Sequence, residues 1–219
     1  MIVLIGDIID SKQLDGKKRK QVQSLLLEQF DEINRESDSI VAPYTITLGD
    51  EFQALYADAS TLWEDCWKIL AEIHPVSVRF SAAIGSISTP INKEQAIGMD
   101  GPAFYIARDN IEEMKKSNRL FSVGIEEVQD DDERQAVLSL INNTLRLLSK
   151  EMKSWKKVRF QILNMLNRGM PVKEIAKKLQ ISETAVYKNR EDGELPLVIQ
   201  LKESIKKLLN IELDKRKTT

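Results

Sequence analysis

The chain has 219 residues, 42% of them hydrophobic and 30% charged, with a formal net charge of −2. That length suits one large domain or two modest ones, and the composition is that of an ordinary folding globular chain. The longest apolar runs, such as MIVLI at the start and SLLL further on, fall far short of the roughly 20 residues of a membrane helix, which excludes a span.

Met1 leads directly into MIVLIGDII, an Ile- and Val-rich run broken only by Gly6 and Asp7, which predicts a strand buried on both faces. It has no basic leader region and no small-residue cleavage site, so no secretory signal is expected and a cytoplasmic location is. An acid at the end of such a strand is out of place. KKRKQVQSLLLEQFDEINRES sets Val22, Leu25, Leu26, Phe30 and Ile33 at helical spacing among charges, an amphipathic helix. VAPYTITL and FQALY are β-branched and aromatic runs around Gly49-Asp50, a hairpin by pattern. DASTLWEDCWKILAEI reads as a helix with Trp63, Trp67 and Leu70 on one stripe. The lone cysteine, Cys66, reads as a small buried hydrophobe there, and without a partner thiol it fits a reducing compartment. His74, the only histidine, precedes Pro75 and reads as a helix-terminal residue rather than a ligand. VSVRFSAAIGSIST predicts another buried strand, GPAFYIARDNIEEMKKS a helix and RLFSVG a short final strand. The order β-α-β-β-α-β-α-β predicts an α+β protein with a ferredoxin-like palm over residues 1–125.

Residues 126–219 predict an all-α domain. DDDERQAVLSLINNTLRLLSKEM opens on acids suited to a helix N-terminus and continues with Val137, Leu140, Ile141, Leu145 and Leu148 on one face. WKKVRFQILNMLNRGM is a second helix, stopped by Gly169 and Pro171. Over 171–193 the spacing is that of a helix-turn-helix: Ile175, Ala176 and Leu179 pack inward, Ile181 fills the turn, Ser182 caps the second helix and Val186 anchors it. Its second helix exposes Glu183, Thr184, Tyr187, Lys188 and Arg190 as groove-facing and phosphate-reaching candidates for DNA. Gln180 stands where the turn usually has Gly, and Asn189 where an apolar residue is common. LPLVIQLKESIKKLLNIEL is a last helix able to cover the bundle or to serve a homodimer, and the tail DKRKTT is expected to be loose.

The charge divides with the architecture. Residues 1–125 carry 13 Lys and Arg against 19 Asp and Glu, and 126–219 carry 19 against 15. Within 150–190 there are 11 basic residues against 3 acidic, an excess that attracts a phosphate backbone or simply forms a solvated helical face.

In a ferredoxin-like sheet the first strand lies beside the hairpin, so Asp7 is expected to meet Asp50 and Glu51. Facing carboxylates require a compensating positive charge, and a hard divalent cation, Mg²⁺ or Mn²⁺, with substrate phosphates completing its shell is a usual answer. Side chains alternate along a strand, so only one of Asp50 and Glu51 need join Asp7. The structural alternative is that Asp7 caps a loop, Gly49-Asp50 is only a turn, and Arg108 pairs with Asp7 or Asp50.

LIGDIIDSK, TLGDEFQ, RFSAAIGSIST and MDGPAFYIAR together resemble the SatD family, a bacterial family, over most of the chain. Residues 1–125 are more remotely similar to the catalytic palms of class III nucleotide cyclases and GGDEF diguanylate cyclases. That resemblance implies a metal role for Asp7 and Asp50, with the Ile8 carbonyl as a further ligand, on a nucleoside triphosphate. It implies phosphate contacts from the loop Asp10 to Gln13, with Ser11 as N-cap of the first helix and Lys12 assisting, and transition-state stabilisation by Arg108. The sequence departs from the cyclases at Phe104, where they have Asn, at Ile46, where they have a base-selecting Lys, and at Leu48, where GGDEF proteins have Gly. Three readings follow: a regulator that senses a nucleotide and binds DNA, an active nucleotidyl cyclase or transferase, and a non-catalytic scaffold.

Overall fold

The computed structural model describes residues 1–117, 119–127 and 131–217. Five strands, β1 (Ile2–Ile8), β2 (Ile40–Leu48), β3 (Glu51–Tyr56), β4 (Val78–Ile84) and β5 (Phe121–Ile125), form one mixed sheet in the order β2-β3-β1-β4-β5. All neighbours are antiparallel except β4 and β5. β1 is central and buried from end to end, which explains why its sequence is apolar on both faces.

Alternation along β1 divides the core in two. Ile2, Leu4 and Ile8 join the larger cluster, which includes residues of α1 (Gly16–Glu36) and α2 (Leu62–Ile73). Val3 and Ile5 face the other way, among Ala103, Phe104, Ala107 and Ile111 of α3 (Pro102–Lys115). Asp7 falls on this second side by the same alternation.

The predicted strand VSVRFSAAIGSIST is shorter than expected, since β4 ends at Ile84. The chain beyond it folds back over the second face of the sheet instead of extending it, burying Ala96 and Met99 among Val3, Ile5 and Leu55. Ala96 N–H donates to Thr45 Oγ1 at 3.0 Å, the Gln53 side chain donates to the Ala96 carbonyl, and Ser88 N–H donates to the Asp100 carbonyl at 2.8 Å. Within the stretch expected to continue the strand, Ser86 N–H donates to the Glu126 carboxylate at 2.7 Å and the Ser86 carbonyl accepts from Ala103 N–H at 3.3 Å, so other partners take groups that a longer strand would have paired.

Among the described residues five further helices follow: α4 (Asp132–Met152), α5 (Lys157–Asn167), α6 (Val172–Leu179), α7 (Glu183–Asp192) and α8 (Leu195–Lys217). Asp131 caps α4, accepting from Arg134 N–H at 3.0 Å, while Asp130 of the predicted acidic start lies outside the described residues. Asn142 of α4 exchanges two hydrogen bonds of 2.9 Å with the backbone of Val123, occupying the free edge of β5. The larger core cluster continues past residue 125, joining Trp63, Trp67 and Phe121 to Leu145, Met152 and Ile205. The tail is not loose as far as it is described. α8 runs to Lys217, and Arg216 pairs with Glu126 at 3.0 Å; Thr218 and Thr219 lie outside the described residues. No helix among the described residues is long and apolar enough to cross a membrane.

Candidate functional site

Antiparallel register brings the end of β1 to the β2–β3 turn. Asp7 lies opposite Glu51 of β3 and, on its other side, opposite Arg79 of β4. Gly6 makes this approach possible, because a Cβ there would stand 2.1 Å from the ring of Phe52, its cross-strand partner. Gly49 takes φ +62° in the turn, a conformation that favours glycine, and Ile8 N–H donates to the Asp50 carbonyl at 3.0 Å. Gln23 of α1 steadies the turn by donating to the Gly49 carbonyl at 2.8 Å.

Ser11 is not the N-cap of α1. That helix starts at Gly16, where the Asp15 carboxylate accepts from Lys18 N–H at 2.8 Å. Ser11 sits instead in a short 3-10 turn, Ser11–Gln13, entered through Asp10 at φ 56°. Its hydroxyl donates to the Asp50 carboxylate, and its carbonyl accepts from Arg19 at 2.8 Å. A carboxylate at Asp15 takes the cap and frees the serine for the turn acid.

Asp7, Asp50, Glu51, Ser11 and Lys12 line one open cleft of about 520 Å³. Asp10, Arg79 and Lys115 also line it, the last two without having been candidates from sequence. Arg79 is the lone charge in its strand, the same signal that marks Asp7 in β1. Lys115 carries no such mark and reaches the cleft only because α3 crosses the sheet there. Arg108 does not line the cleft; it is exposed on α3, and its charge acts on Glu51.

Two cations hold the buried Asp7. Arg79 Nη1 lies 2.9 Å from one carboxylate oxygen and Lys115 Nζ 3.7 Å from the other. Lys115 also binds Glu112 at 2.6 Å, the main cause of its raised pKa. Burial, with a smaller push from Asp7, raises Glu51 above the usual carboxylate range against the pull of Arg108 and Lys115. The alternative pairing of Arg108 with Asp7 or Asp50 is not found among the described residues. Among the described residues no group of three His, Cys, Asp and Glu side chains gathers as a metal site, and Asp7 has Arg79 and Lys115 as positive partners.

In the helical part, α6 and α7 meet through a turn at Gln180, whose φ of 54° is left-handed. Ile181 N–H donates to the Ala176 carbonyl at 3.1 Å, and Ser182 Oγ accepts from Ala185 N–H at 3.1 Å. Ile175, Ala176 and Val186 are buried, and Leu179 and Ile181 pack on the same core. Thr184, Tyr187 and Lys188 are exposed and Arg190 is half-buried. Asn189, unexpected in an apolar position, is satisfied by Arg159 Nε at 3.3 Å and the Ala185 carbonyl at 2.9 Å. His74 terminates α2 and contacts the Trp155 carbonyl at 3.1 Å, and Cys66 is buried with its thiol pKa pushed up by burial.

These features define a mixed α+β protein with a charged cleft where the central strand meets a hairpin, followed by five helices, of which α4 and α8 are long. The SatD family model matches residues 1–209, and the chain belongs to the SatD family. No curated protein matches the sequence.

Proposed function

We propose that this SatD-family protein is a cytoplasmic bacterial regulator that binds a nucleotide in the cleft and DNA through α6 and α7 acting as a helix-turn-helix. On this reading residues 1–125 are a ferredoxin-like, cyclase-like palm and 126–219 the DNA-binding part. The convergence of Asp7, Asp50, Glu51, Ser11 and Lys12 on one cleft carries the reading. The sheet supports it, because β2-β3-β1-β4 with every neighbouring pair antiparallel is the order expected of a ferredoxin-like palm.

The cleft's lining holds four carboxylates, Asp7, Asp10, Asp50 and Glu51, against the three cations Lys12, Arg79 and Lys115. A bare triphosphate is repelled by that balance, so the nucleotide enters as its Mg²⁺ or Mn²⁺ complex, the ion travelling on the phosphates and supplying the missing positive charge. Lys12 then reaches phosphate oxygens from the cleft wall. Sensing is favoured over turnover, because Asp7 is already paired with Arg79 and Lys115, and Arg108 lies outside the cleft. Phe104, standing where the cyclases have Asn, is buried in the core.

For DNA, the exposed Thr184, Tyr187 and Lys188 offer base-edge and phosphate contacts, with Arg190 at the margin. Thermal-shift measurements on the full chain with each nucleoside triphosphate and Mg²⁺ or Mn²⁺ test the cleft. A rise in Tm that Lys12→Ala removes is expected; an unchanged Tm with every nucleotide rejects the reading. Pyrophosphate release abolished by Asp50→Asn would transfer the cleft to the transferase class. DNA binding is checked by gel retardation, expected to weaken with salt and in Lys188→Ala, and a gel indifferent to both removes it.

A further inference from the structure

Part of the basic excess in 150–190 lies away from α6 and α7. Around the C-terminal end of α4, Arg119, Arg146, Lys150 and Lys153 line a second cleft of about 590 Å³ with Ser117 and Ser154. No carboxylate lines it, in contrast to the first cleft. None of the four cations is ion-paired among the described residues. Lys150 lies in the last turn of α4 and complements the negative end of that helix. The dipole gives no such account of Arg119 and Arg146, which the fold nevertheless holds beside it.

A concave surface of one sign focuses its field outward and concentrates counter-ions of the opposite sign. Two guanidinium groups add planar forks that match phosphate oxygens bidentately. The volume is that of a small-molecule site rather than of a track for a long polymer. Burial lowers the pKa of Lys153 first, the charge of Arg79 in the first cleft lowers it further, and Asp10 opposes them.

We propose that Arg119, Arg146, Lys150 and Lys153 form a second anion site, which takes a small polyphosphorylated ligand. The site is independent of whether a nucleotide enters the first cleft. Its ligand is either inorganic polyphosphate or the phosphate tail of a nucleotide, since the chemistry recognised is the same.

The experiment is calorimetric titration of the full chain with sodium tripolyphosphate, without divalent cations so that the first cleft is not filled. Binding is expected to weaken with salt and to fall at least about tenfold in Arg146→Gln/Lys150→Gln, both exposed positions. Lys153→Gln serves as a second variant, expected to weaken binding in the same direction. The charge-matched control Lys93→Gln/Lys207→Gln should bind as the wild type does. Competition by a nucleoside triphosphate at the variant-sensitive site identifies the nucleotide as a source, and its absence leaves inorganic polyphosphate. Three outcomes overturn the inference: no tripolyphosphate binding by the wild type, loss in Lys12→Ala with the double variant unaffected, or a double variant defective only toward a DNA oligonucleotide. The first-cleft reading fails on a different measurement, the Mg²⁺-nucleotide thermal shift.

Discussion

Asp7 and Arg79 are each the lone charge in an apolar strand, and the register of β1 and β4 sets them opposite one another. Removing one partner of such a buried pair leaves the other charge uncompensated, which costs more than the pair itself contributes. Arg79 is especially exposed to this, because its buried Nε has no partner among the described residues. Asp7→Ala is therefore expected to lower unfolding stability by about 3 kcal/mol in urea titration, whereas Lys115→Ala, at a half-exposed amine, should cost less than about 1 kcal/mol. Equal losses in the two variants would show that the pair is not the buried anchor described. The carboxylates of this site were legible in the sequence because acids interrupting apolar strands and turns need a reason. Arg79 gave the same signal in mirror image, but Lys115 did not, since only the crossing of α3 gives its ammonium a partner in β1. A second residue-scale effect belongs to Asp65, buried in α2 and accepting from Tyr56 Oη at 3.0 Å. Burial pushes its carboxyl from 3.8 up to about 6, with the Thr61 and Tyr56 hydrogen bonds and Lys68 opposing. The folded chain thus holds this proton more tightly than the unfolded chain does. The stabilisation is full at pH values below about 4 and is lost as pH rises through about 6. Asp65→Asn, which mimics the protonated acid, should remove up to about 3 kcal/mol of stability loss across that window, read from denaturation midpoints at each pH. A wild type and variant with parallel pH profiles would contradict the assignment.

Elements that depend on local chemistry were readable, and those that depend on distant partners were not. The α6–α7 pair has its stop, turn, cap and anchor within about twenty consecutive residues, so spacing alone located it. β4 is shorter than its pattern predicts because the bonds that hold residues 85–101 back come from Thr45, Gln53 and Glu126, which no local pattern reveals. Ser11 does not cap the helix for a related reason: its hydroxyl is claimed by Asp50, 39 positions away in the chain. Gln180 provides the test at this scale. At φ 54° its side chain occupies a backbone conformation that costs a non-glycine residue about 1 kcal/mol, so Gln180→Gly should stabilise the chain by roughly 0.5–1 kcal/mol. Ser182→Ala, which deletes the cap on Ala185 N–H, should destabilise it by about 1 kcal/mol. Opposite signs in two substitutions two residues apart, measured in one denaturation series, are a sharper check of the turn geometry than either alone; a destabilising Gln180→Gly would refute it.

At the scale of the molecule, the sheet-bearing and helical parts share one core and one set of buried polar contacts. Lys202 of α8 is only 4% exposed, yet its ammonium lies 3.2 Å from Glu64 of α2 and 2.6 Å from Glu203. Asn167 at the end of α5 donates to the same Glu64 at 2.6 Å, so three helices meet on one carboxylate. Asn210 of α8 accepts from Ala59 N–H at 2.9 Å, which ties the last helix to the loop before α2. Contacts of this kind transmit loss of structure in either part to the other, because breaking them strands buried charge and opens the common apolar cluster. Scanning calorimetry of the full chain is thus expected to show one endotherm. Lys202→Ala should move that single transition down, by about 3 kcal/mol or some 6–12 °C for a chain of this size, without splitting it. The same continuity is what a nucleotide in the cleft would need in order to be felt at α7, since a ligand that stabilises only an independent sheet could not alter the helices. Two resolved endotherms in the wild type, with Lys202→Ala shifting only one, would mean that the parts unfold separately and that any signal between them must travel by another route.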